Sequence, residues 1–133
     1  MSISTSKVYR AEFLKSYLEA AYMTSIEAEG KPNLIWSDDA KEIANDDCEK
    51  FLEDAREILD ALWHEEKMYA PQAGNDFWLT RNGHGAGFWD RGLGDAGDQL
   101  SSLAEGFRSC DDYIGDDGKL HLEKSQPRKP RPR

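Results

Sequence analysis

Cysteine is scarce in this chain: Cys48 and Cys110 are the only two, they form no CxxC spacing, and no secretory signal accompanies them. That argues against a disulfide framework and against a zinc site built on thiolates, and two free, partly buried thiols are expected. Long apolar runs are missing as well. Lys7, Arg10, Glu12, Lys15 and Glu19 interrupt the first thirty residues, so neither a signal peptide nor a membrane helix fits, and a cytoplasmic chain without membrane contact is expected. Catalytic signatures are lacking too. There is no GxSxG, HExxH or GxxxxGK[ST], so spacing nominates no nucleophile, no metal centre and no phosphate cradle, and neither a metal nor a cofactor is expected. The run from Asp112 to Glu123 fails as a calcium loop, because Ile114 stands at its third place and Asp117 where the turn glycine belongs.

What is present is aromatic and acidic. Four Trp, five Tyr and five Phe supply the large apolar surfaces that disordered chains lack, and 133 residues suit one domain. The net charge of −9 is unevenly placed: residues 124–133 carry Lys124, Arg128, Lys129, Arg131 and Arg133 with no acid, which leaves −14 on residues 1–123. The reading is a single domain over 1–123 followed by a disordered basic tail over 124–133. A body that negative repels a nucleic-acid backbone and attracts basic clefts, so direct DNA binding by the body is not expected.

Apolar residues from Phe13 to Ile26 recur at three- and four-residue steps, which predicts a helix from Ser6 to about Glu29. Ser37 is a natural N-cap for a second helix reaching about Tyr69, with Pro71 and Gly74 ending the helical half. From Asn75 the composition turns aromatic and β-preferring. Asp76–Arg81 and Gly87–Asp90 then read as strands of a hairpin whose tip is Asn82–Gly87. A short helix follows from about Asp95 to Arg108, capped by an aspartate, and a second hairpin turns on Asp116-Asp117-Gly118. The expected class is α+β: two helices, a hairpin, a short helix and a second hairpin in a small antiparallel sheet with the helices on one face.

Two regions stand out as candidate sites. The first is the block 75–91, where Trp78, Arg81, Asn82, His84, Trp89, Asp90 and Arg91 would crown the hairpin as binding residues. His84 is the alternative catalytic acid or base there, since an imidazole titrates near neutrality. The second is the polar face of the long helix, where Glu42, Asp46, Asp47, Glu49, Glu53, Asp54, Glu57 and Asp60 outnumber Lys41, Lys50 and Arg56.

The segment DFWLTRNGHGAGFWDR over 76–91, with the later YIGDDG over 113–118, resembles a group of small uncharacterised proteins of bacteriophages and other mobile elements. The resemblance implies a phage-type origin and an accessory role, and it carries over no catalytic or binding residue. Three functions are therefore weighed. The leading one is an accessory protein that binds a host protein with a basic surface and inhibits a nucleic-acid-handling or defence factor. The others are a small-ligand- or nucleotide-binding enzyme centred on the 82–87 loop, and a single-stranded nucleic-acid binder using the aromatics beside the tail. Sequence leaves the oligomeric state open.

Overall fold

The computed structural model describes residues 2–123, and the basic segment 124–133 lies outside the described residues. The chain forms α1 (Lys7–Met23), α2 (Asp38–His64), α3 (Ala70–Arg81), a single 3-10 turn (Phe88–Asp90), α4 (Asp95–Glu105) and strands β1 (Asp112–Ile114) and β2 (Leu120–Leu122). This corrects the expected α+β order: the described residues hold four α-helices and one two-stranded sheet, and no hairpin spans 76–90.

The first two helices begin at serine caps. Ser6 Oγ accepts from the Tyr9 N–H at 3.2 Å and Ser37 Oγ from the Ala40 N–H at 3.0 Å. Asp38 and Asp39 add negative charge at the positive end of α2. Both helices stop earlier than their apolar patterns suggest. Thr24 closes α1, with its hydroxyl donating to Ala20 O at 2.9 Å, and Glu66 takes a left-handed conformation (φ 59°) just past α2, turning the chain back.

The segment read as the first strand is helix α3. Pro71 opens this helix, because its missing N–H is one that the first turn leaves unpaired anyway. Gly83 (φ 71°) ends it: the His84 N–H bonds Leu79 O at 3.0 Å and the Gly83 N–H bonds Thr80 O at 3.2 Å, the paired closure of a helix C-terminus. The expected hairpin tip is therefore a helix cap. Residues 88–90, expected as the returning strand, form the 3-10 turn, held by the Phe88 N–H donating to Thr80 Oγ1 at 3.2 Å. For α4 the cap falls on Gly94 (φ 60°), not on an aspartate.

α3 packs along α1, while α4 and α2 close over it. Phe51 of α2 stacks on Phe77 of α3 at 4.2 Å and on Phe88 at 5.6 Å, and Phe107 meets Phe77 edge-on at 5.0 Å. Each such buried ring contributes about 1.5–3 kcal/mol. The strands pair antiparallel with Tyr113 opposite His121. The pair is fastened to the α1–α2 connector through Ser37 N–H to Leu120 O at 2.8 Å and Leu120 N–H to Ile35 O at 2.9 Å. Among the described residues no helix is long and apolar enough to cross a membrane.

Candidate functional site

Inside the block 75–91, two ion pairs hold the fold together. Arg81, 3% exposed, donates to Asp47 Oδ2 at 2.7 Å, Tyr17 Oη at 3.0 Å, Phe107 O at 3.0 Å and Arg108 O at 2.8 Å. Those two carbonyls belong to the exit turn of α4, which Arg108 bends by its left-handed conformation (φ 64°). Arg81 thus ties α1, α2, α3 and the end of α4 to one planar group. Burial opposes its charge, but Tyr17 and the bond to Asp47 hold its pKa above the ordinary arginine value. The second pair is Asp76 with Arg91. Asp76 is fully buried and accepts from Arg91 Nε at 3.0 Å and Nη2 at 2.8 Å, with Gln72 Nε2 at 2.8 Å and Asn75 Nδ2 at 3.2 Å completing the shell.

The other block residues separate. Trp78 is 2% exposed, with its indole N–H donating to Thr24 Oγ1 at 2.8 Å. Asn82 bridges: its Nδ2 donates to Trp78 O at 2.9 Å and its Oδ1 accepts from the Cys110 N–H at 2.7 Å. His84 and Asp90 are exposed, as is Trp89 at 53%. An interface anchor must reach solvent, and Trp78 and Arg81 do not. His84 borders a groove with Trp78, Cys110, Asp111 and Asp112, where burial pushes the Cys110 thiol up to about 11, so that it stays protonated and non-nucleophilic at neutral pH.

The acids of α2 arrange differently. At about 100° per residue, Glu42, Asp46, Glu49, Glu53, Glu57 and Asp60 fall within about 80° of arc and advance over about 27 Å of helix. This stripe lies opposite the face that buries Ala44, Cys48, Phe51, Leu52, Ala55 and Leu59. Glu42, Asp46, Glu49, Glu53 and Glu57 are exposed and Asp60 partly so. Arg10 pairs with Glu49 at 3.6 Å. Asp60 accepts from the Ser4 N–H at 2.8 Å; burial works against its charge, yet the bonds from Ser2 and Ser4 hold its pKa below the ordinary value. Asp47 turns inward to Arg81 and leaves the exposed set, while Asp54 sits exposed on the flank.

Sequence reading missed the groove at the N-terminal half of this stripe, where α2 faces the hairpin. It encloses about 790 Å³ and is bordered by Asp39, Glu42, Asp46, Tyr113, His121 and Glu123. The signal was available: a hairpin turning on 116–118 sets Tyr113 opposite His121. Comparison of the chain with family models, with curated proteins and with solved structures finds no match.

Proposed function

We propose that this protein acts by binding: the exposed acidic face of α2 captures the basic nucleic-acid-binding surface of a partner protein and inhibits it, as a phage-type accessory protein would. The observation that carries this reading is the stripe from Glu42 to Asp60. Its carboxylates stand about 5 Å apart along the helix axis, against one phosphate per about 3.4 Å on a strand of duplex DNA. Glu49 is paired with Arg10 and Asp60 with the Ser4 amide, so the four carboxylates that face outward carry a little under half the charge density of a nucleic-acid strand, on a rigid rod. A basic cleft shaped for a backbone meets in it a similar though weaker field.

The block 75–91 supports this choice indirectly. Arg81 and Trp78 are engaged in packing, so neither an anion-holding arginine nor a stacking platform is offered by those two side chains. The test is capture from a bacterial lysate with the intact chain and with a Glu42→Gln/Asp46→Asn/Glu53→Gln/Glu57→Gln variant. A nucleic-acid-handling protein should be held at low salt by the wild type alone and released by added DNA. Equal capture by both chains, or capture indifferent to DNA, refutes the reading.

A further inference from the structure

We infer that the groove between α2 and the hairpin docks an arginine of an extended basic segment on the partner protein. The inference rests on the acidic-face reading and gives it a point of specificity. Asp39, Glu42 and Asp46 stand on one wall, at positions that share a side of α2, and Glu123 stands at the end of β2. The volume of about 790 Å³ accommodates several side chains.

Carboxylates alone would accept any cation, and the aromatic pair narrows the choice. Tyr113 is 46% exposed and stacks on His121 at 5.2 Å with the planes 15° apart. His121 is fixed in turn by Asp117 at 2.9 Å, and Gly115 leaves room for its ring, since a Cβ there would lie 2.5 Å from the imidazole. The imidazole thus backs one face of the tyrosine ring, which borders the groove beside the carboxylates. A guanidinium uses both features at once, lying flat on an aromatic ring while its N–H fork reaches carboxylate oxygens; an ammonium is also drawn to the ring, but as a compact, strongly hydrated charge it neither stacks nor offers a fork. A divalent metal is a poorer occupant, because among the described residues no three acid, histidine or cysteine side chains converge as a metal site requires. An apolar group would meet Ile43 and Leu122 in the lining but would strip water from the carboxylates around them without replacing it.

The probes are blocked hexaarginine and hexalysine peptides, titrated into the full chain by calorimetry at 50 mM salt. Hexaarginine should bind about fivefold tighter than hexalysine. Tyr113→Ala should remove most of that difference by weakening hexaarginine more than hexalysine, while Tyr113→Phe, which keeps the ring, should preserve it; helical circular dichroism confirms that each variant folds. Equal affinity for the two peptides overturns the inference. So does low-salt self-association of the full chain that hexaarginine disperses, which would make a second copy the occupant. If Tyr113→Ala leaves hexaarginine binding intact while Glu53→Gln/Glu57→Gln, outside the groove, weakens it, the groove assignment fails and the acidic-face reading stands. If neither variant weakens binding, both fail.

Discussion

Arg81 sits where a long polar side chain is least expected, 3% exposed among Tyr17, Phe77 and Phe107. It is tolerated because every direction of its guanidinium fork meets an acceptor or a ring. Truncation would remove four interior hydrogen bonds at once, one of them to the mostly buried carboxylate of Asp47, so Arg81→Met should cost about 3 kcal/mol. Arg81→Lys should cost nearly as much, since one ammonium cannot span the four acceptors. Urea denaturation checks both, and a loss under about 1 kcal/mol for Arg81→Met would contradict this role. The thiols give a second prediction. Burial raises the Cys48 and Cys110 pKa values above 9.0, so the folded state keeps protons that the unfolded chain sheds. The stability this lends is complete below pH 9 and declines as pH rises further. Alkylation at pH 8 should be far slower in the native protein than in urea, and equal rates would show that the thiols are accessible. From sequence, Arg81 looked like a surface contact because an unpaired arginine is a surface residue; its partners lie 34 and 64 positions away, and that pairing is invisible to local pattern.

Helix α3 shows why an element can be hidden from its own sequence. Helix α2 displays one apolar face, and the serine caps of α1 and α2 are legible. α3 lies between α1 and α4 and buries Ala73, Asp76, Phe77, Trp78, Thr80 and Arg81 around most of its circumference, so no 3.6-residue contrast survives. What remains visible is a row of aromatic and β-branched residues, which favours a strand, and a proline that marks a helix start as readily as a stop. The closest packing of this helix is at Gly74, where a side chain would overlap the carbonyl oxygen of Phe13 and come within 2.9 Å of its carbonyl carbon. Gly→Ala inside an open helix gains about 1 kcal/mol. Here the obstacle is backbone, which cannot rotate away, so Gly74→Ala should reverse the sign and destabilise by about 1–3 kcal/mol as α1 and α3 are forced apart. A lower urea midpoint is expected; a higher one would mean that the helices separate freely.

Across the whole molecule, −14 on residues 1–123 is a standing repulsion that the fold must overcome. Most of it is exposed, and salt should relieve it: the thermal midpoint is expected to rise between 10 mM and 500 mM sodium chloride, as the screening length falls from about 30 Å to a few ångströms. The same repulsion separates two reasons for having an acidic helix. Carboxylates that serve folding, such as Asp60 on the Ser4 amide and Glu49 on Arg10, lose a partner when neutralised. Carboxylates that serve a partner lose only mutual repulsion. Glu42, Asp46, Glu53 and Glu57 line the exposed stripe, so replacing all four with their amides should raise the thermal midpoint by a few degrees at low salt while abolishing capture of a basic partner. A midpoint that falls would instead assign the stripe to folding and remove the basis for the binding function. A rise in stability with capture lost is the pattern of a surface that gives up stability for association.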